Sequence, residues 1–412
     1  MLTKGWDTIS IVKQDKINSD LQAVWSSVDA HFCEELPDLA GKIEGIFDGF
    51  HIVNGGGGRI VRMELPIGSG YLSLMESQIS LEGTIAVIEI TLSMFPKQKE
   101  LTVLKTEYKN LAKNRQEMTE DKTGWILPVT FIDPGGRTGV YANVVLDGIC
   151  HYLLEHPEQL ELIFAEINFA KSTSPEWARP KRCAYSYLDS GYLAIMAVCD
   201  NREISELPRD IDVTGISLGT NSLYVMSSEL MLKNLILPGL IQLYQNADEN
   251  SYAYCNREWS NTYELRMQQI KSGAIYYTPV VYKQGNVVRV DGDRITVTYS
   301  GKCDMYAGID MYWNGSVKVR AALENNGTIS FYREGVSFSD DEDIPWYLAW
   351  LLPVVGLIVQ IVVAVISDDL IDAIEKRSCS IKAGNIDTVT WCREQAVIKS
   401  AYISESLILE YK

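Results

Sequence analysis

From Ile17 to Phe32 the apolar residues recur three or four apart: Ile17, Leu21, Val24, Val28 and Phe32, with Trp25 widening the stripe. That spacing predicts a helix over Asp15–Phe32, limited by Pro37. The period then drops to two. Ile43, Gly45 and Phe47 alternate, and after Asn54-Gly55-Gly56-Gly57-Gly58 so do Val61, Met63, Leu65 and Ile67. Thr84–Leu92 adds a third strand, so glycine turns join an antiparallel meander here. Val144–Leu154 reads as a helix and Tyr192–Val198 as a buried strand. Leu160–Phe169 fits either period. Ser227–Tyr244 predicts a second, mostly apolar helix kinked at Pro238.

Ala274–Tyr332 is the clearest meander, with turns expected at Gln284-Gly285-Asn286, Asp291-Gly292-Asp293, Asn314-Gly315 and Asn326-Gly327. The aromatics Tyr276, Tyr282, Tyr299, Tyr306 and Tyr312 are read as strand packing. Thr388–Trp391 and Tyr402–Tyr411 close the chain as two more strands. Long helices thus alternate with runs of strands, which predicts an α+β fold rather than a doubly wound parallel one. A polar stretch with Pro208, Asn201–Arg209, suggests two halves, 1–205 and 206–412.

The least ordinary segment is Trp346–Ile366, whose only strongly polar side chain is Gln360. Leu348–Ile366 would span roughly 28 Å as a helix, close to the ~30 Å of a bilayer core. Pro353 and Gly356 interrupt it, acids flank it at 340–343 and 368–369, and the first cation beyond it is Lys376. No positive anchor brackets it. The continuation keeps Leu370, Ile371 and Ile374 at helical spacing. A helix enclosed by protein, lining a tunnel or able to enter a membrane is the preferred reading, and a true span the alternative.

A net charge of −17 turns the chain away from nucleic acid. Met1–Asp20 has no apolar core, so no signal peptide is expected there, and the protein either stays in the cytoplasm or leaves by another route. Eight scattered cysteines form no Cys-x-x-Cys or Cys/His cluster, which argues against zinc and a disulfide scaffold. Lys97–Arg115 is the main basic stretch. It is a solvated face or an anionic head-group site. Within it Lys105, Lys109 and Lys113 align only if Val103–Met118 is helical.

Catalytic patterns fail one by one. Gly215-Ile216-Ser217-Leu218-Gly219 matches a nucleophile elbow, but all four histidines (31, 51, 151, 156) precede Ser217, the reverse of the order that elbow needs. The glycine run at 55–58 lacks a phosphate-loop Lys-Ser/Thr. The acids at 340–343 lack calcium-loop spacing. No catalytic residue, metal ligand or cofactor is assigned.

Several segments together resemble a clostridial toxin-cluster accessory family of about 47 kDa, related to the OrfX proteins; this chain has 46.2 kDa. They are Gly5-Trp6-Asp7-Thr8-Ile9 with Ile17-Asn18 and Leu21; Ile163-Phe164-Ala165-Glu166-Ile167-Asn168; Trp177, Pro180 and Tyr187; Leu193-Ala194-Ile195; and the apolar segment near the C-terminus. The resemblance implies a tubular lipid-binding (TULIP) fold, in which curved antiparallel sheets wrap long apolar helices. It also implies a bacterial, non-enzymatic virulence accessory encoded in a cluster with a neurotoxin or an insecticidal toxin, with a phosphoinositide or another apolar ligand as partner. Candidate lipid contacts are Leu232, Leu235, Ile236 and Leu240 from one helix. Leu351, Val355, Ile358, Val359 and Val362 come from the other. The rival readings are a scaffold or chaperone for toxin-complex proteins without lipid, and a membrane-inserting component using 346–366.

Overall fold

The computed structural model describes residues 2–412 except 76, 99, 121, 215, 217–218, 306–308, 342–350, 379–381 and 393–396. Strands hold 47% of the described residues and helices 21%, so the molecule is mostly β, with curled sheets and a half-barrel, rather than an even α+β mixture. The strands run longer than the alternation suggests: Ile60–Leu74 has 15 residues and Asp310–Leu323 has 14.

A six-stranded antiparallel sheet ties the chain together. Its order is Arg182–Leu188, Tyr192–Val198, Thr8–Lys13, Ser222–Met226, Leu407–Tyr411, Ile398–Ile403. N-terminal, middle and C-terminal segments therefore share one ladder. On one side of it in sequence, an eight-stranded sheet around Ile60–Leu74 packs with the helices Gln14–Trp25 and Ala142–Glu155 to form a first core. A second core lies inside the seven-stranded meander of Val280–Asp291, Arg294–Asp304, Asp310–Leu323 and Ile329–Asp341, which carries helical segments at 228–241 and 352–378. Val389–Trp391 returns from this region to pair with Ile163–Asn168, whose strand character resolves the earlier ambiguity.

Several local expectations are corrected. The first helix ends at Trp25, and Phe32 belongs to the strand His31–Leu36. A spacing of four satisfies both periods, so Val28 and Phe32 could extend the helical stripe by coincidence. Tyr402–Tyr411 is a hairpin, turned at Ser404–Ser406 with Glu405 at φ 59°. Gln284-Gly285 is a bulge within one strand, with a register shift between Val281 and Asn286. Asn314-Gly315 lies in mid-strand opposite Ser300 and Tyr299. A Cβ at Gly315 would stand 2.7 Å from Ile366 Cδ1, so the glycine admits a helix rather than a turn. Asp291-Gly292-Asp293 and Asn326-Gly327 do join strands, with φ of 63° and 80° at the glycines. Of the strand tyrosines, Tyr299 is buried, Tyr276 and Tyr312 are exposed, and Tyr306 lies outside the described residues.

Candidate functional site

The apolar C-terminal segment begins its helix at Leu352. Pro353 sits in the first turn, where its missing N–H has no partner to lose. The helix runs through Leu352–Ala364, loosens to a π-helical turn over Val365–Asp369 and continues as Leu370–Ser378. Ser367 Oγ donates to the Val363 carbonyl at 2.7 Å within that looser stretch. Trp346–Trp350, the opening of the apolar run, lies outside the described residues.

One stripe of this helix faces the protein. Leu351, Val355, Ile358, Val362, Ile366, Leu370 and Ile374 are buried at three- and four-residue spacing. The opposite side is only partly covered. Leu352 is 51% exposed, Pro353, Gly356 and Gln360 are exposed, and Val354, Leu357, Val359, Ile361 and Val363 are only half-buried. Among the described residues one helix, Leu352–Lys376, is long and apolar enough to cross a membrane. Its most apolar 18-residue window has a mean hydropathy of 2.3, yet only 33% of that window is buried. A long helix wrapped on all sides is therefore not borne out: one stripe is fully buried and the rest is half-buried or exposed. The acids Asp368, Asp369 and Asp372 stand exposed beyond the apolar stretch, and Asp368 pairs with Arg333 of the neighbouring strand.

The other apolar helix is seated differently. Leu232, Leu235, Ile236 and Leu240 are each at most 2% exposed and pack into the second core. Pro238 leaves its mark just upstream, where Leu232–Ile236 widens to a π-helical turn that relieves the ring's clash with the preceding carbonyls. Of the residues chosen as lipid contacts on the C-terminal helix, Leu351, Val355, Ile358 and Val362 face the protein and Val359 borders the open side. The residues that do reach the surface there, Leu352, Gly356 and Gln360, were not singled out. A helix apolar all round carries no moment strong enough to say which side turns inward.

The basic stretch is not helical. Leu101–Lys105 is a strand, Asn110–Leu111 a short one, and Arg115–Glu117 a single 3₁₀ turn. Lys105, Lys109 and Lys113 therefore do not align along a helix face. Lys105 pairs with Glu161 at 2.5 Å, Lys109 with Glu107 at 2.5 Å and Lys97 with Glu166 at 3.1 Å. Arg115 and Arg62 converge on Glu89, whose side chain is 1% exposed. Burial would raise the Glu89 pKa, but the hydrogen bonds and charges of Arg115 and Arg62 outweigh it and hold the carboxyl below its usual range. Arg115 also donates to the Gly55 carbonyl at 2.5 Å, fastening the glycine-rich hairpin.

A depressed carboxyl contributes stability that is present above its unfolded pKa and lost as pH falls through the lower folded value. Glu89→Gln is thus expected to cost about 2 kcal/mol at neutral pH, with the gap to wild type closing below the ordinary carboxylate range. Urea unfolding at neutral pH and at about pH 3 checks this. An unchanged gap at both would mean the two arginines do not stabilise the ionised form.

Ser217 and the neighbouring Gly215 and Leu218 lie outside the described residues. Among the described residues no three His, Cys, Asp or Glu side chains converge as a metal site. The described cysteines are free thiols.

Comparison with known proteins adds the following. Protein P47 of Clostridium botulinum (strain Kyoto / Type A2) is 28% identical over 244 residues, 58% of this chain and 56% of that protein. Protein OrfX3 of Paraclostridium bifermentans is 21% identical over 305 residues, 66% of this chain and 60% of that protein. These alignments span less than two thirds of either relative. The structure of P47 from C. botulinum A2 superposes with a TM-score of 0.77 at 19% identity, covering 100% of this chain and 98% of that one. P47 of C. botulinum E1 gives 0.73 at 20%, covering 100% and 99%. The fold is therefore shared from end to end. Residues 3–390 match the OrfX-like family model, described as Protein OrfX2/OrfX3/P47, and the chain belongs to that family.

Proposed function

We propose that this chain is a non-enzymatic accessory protein of a toxin gene cluster that associates with lipid membranes through the open face of its C-terminal helix. The observation that carries this reading is a 25-residue helix whose most apolar 18-residue window has a mean hydropathy of 2.3 and is only 33% buried. A soluble monomer rarely leaves so apolar a helix only partly covered unless something binds there. A helix lying in the head-group boundary buries such a face without leaving its own fold. The tubular reading places an enclosed lipid beside Leu232, Leu235, Ile236 and Leu240. Those side chains are already packed against protein, which supports bilayer contact over an internal ligand.

Charge says which lipids matter. The chain carries −17, and Lys97, Lys105 and Lys109 are matched to carboxylates. Attraction to anionic head groups, phosphoinositides included, is then weak, and apolar burial supplies the affinity. Flotation with neutral phosphatidylcholine vesicles tests the proposal. Full-length protein should rise with the vesicles equally at low and high salt, because burial is not screened. No flotation on any vesicle overturns the reading and gives the open face to a toxin-complex protein.

A further inference from the structure

Where Val389–Trp391 crosses back toward the six-stranded sheet, it leaves a cavity of about 330 Å³. Its floor is polar and built. Asp387 is 9% exposed, and its carboxylate accepts from Tyr411 Oη at 2.8 Å and from the Val389 N–H at 2.9 Å. Trp391, also 9% exposed, donates through Nε1 to Ser10 Oγ at 3.0 Å. Ser222, Thr388 and Thr390 add hydroxyls to the wall, and Asn168 adds an amide. A carboxylate oxygen has two lone pairs, so Asp387 keeps acceptor capacity beyond these two bonds.

The cations present do not make this an anion site. Lys16 is paired with Asp20. Lys171 donates to the Gly384 and Asp387 carbonyls, both at 2.7 Å, which uses two of its three N–H groups. A phosphate would also meet the carboxylates of Asp387 and Asp20. What is left is a set of acceptors, hydroxyls and an amide beside an indole. That chemistry suits a ligand with many hydroxyl groups, which both donate and accept, and with apolar C–H faces that lie on an aromatic ring. The volume falls at the lower end of the range for small-molecule sites.

We infer that this cavity binds a neutral polyhydroxylated ligand, a monosaccharide or the terminal sugar of a glycan, with Asp387 as the central hydrogen-bond acceptor. The site is independent of the membrane-contact helix and does not require that reading. Its occupancy depends on pH. Burial pushes the Asp387 carboxyl up to about 6, against the opposing bonds from Val389 and Tyr411 and the charge of Lys171. Tyr224 also faces it, and Lys16, Asp20 and Lys412 lie around the cavity. Below that pH the carboxyl is protonated and loses acceptor strength.

The test uses the full chain, titrated calorimetrically with glucose, galactose, mannose and N-acetylglucosamine, with inorganic phosphate as comparator and a glycan array in parallel. Saturable binding of at least one sugar is expected, weakening as pH drops from 7 to 5. Binding on the array alone assigns the ligand to glycan ends, and binding in solution assigns it to free sugar. Asp387→Asn should weaken binding at least tenfold. Thr390→Phe, which fills the cavity and leaves the buried bonds in place, should abolish it at an unchanged melting temperature. Phosphate binding in preference to every sugar overturns the inference. So does silence in both formats, or sugar binding that survives Thr390→Phe.

Discussion

Leu352→Asp combined with Gly356→Asp is expected to abolish vesicle flotation while leaving the melting temperature within about 2 °C of wild type. Both positions are on the open face. Leu352 is 51% exposed, and a Cβ at Gly356 would meet nothing within 4 Å. The folded protein therefore has room for both carboxylates in water. A bilayer does not. An ionised side chain costs about 3 kcal/mol at the membrane centre and less toward the surface. Even with that discount, two aspartates one turn apart lower partitioning by well over tenfold. Flotation that persists in this variant would remove the helix from the contact and leave the membrane reading without its main support. Loss of both flotation and melting temperature would instead mean that the face is buried against the protein.

The meanders were legible because alternation over Val61–Ile67 states both the strand and its buried side, and the Ile and Val run of Ile85–Thr91 states a strand buried on both sides. The pattern lost force where one residue served two ends. Phe32 fitted the stripe of the preceding helix and the alternation of its own strand, and only pairing with Gly45 decides between them. Glycines misled for a related reason. Asn314-Gly315 has turn composition, but its requirement is set by Ile366, far along the chain, and no local rule sees that contact. The same limit governed the basic stretch. The spacing of Lys105, Lys109 and Lys113 allowed a helix face, while Glu161 and Glu107, the real partners of Lys105 and Lys109, come from strand pairing and loop closure. The existence of the apolar helix was plain in sequence. Its orientation was not, because every side of it is apolar.

That orientation can be tested by two neighbours on the helix. Ile358→Asp is expected to destabilise the protein by about 4 kcal/mol or more, and Val359→Asp by roughly 1–2 kcal/mol. Ile358 is fully buried in the second core, so its replacement removes an apolar side chain and leaves a carboxylate with no partner. Val359 is half-buried at the rim of the open side, where an aspartate can swing toward water. The two substitutions add the same charge to the same helix, one residue apart. Propensity, net charge and unfolded-state effects therefore nearly cancel in the comparison. Urea unfolding of the two variants gives the difference directly. Equal large losses would mean that the helix is enclosed on both sides, as the tubular reading has it, and that the membrane must be met elsewhere. Equal small losses would mean that the helix is not docked on the meander at all. A large loss at 358 and a small one at 359 fixes the buried stripe, and with it the side left free for lipid.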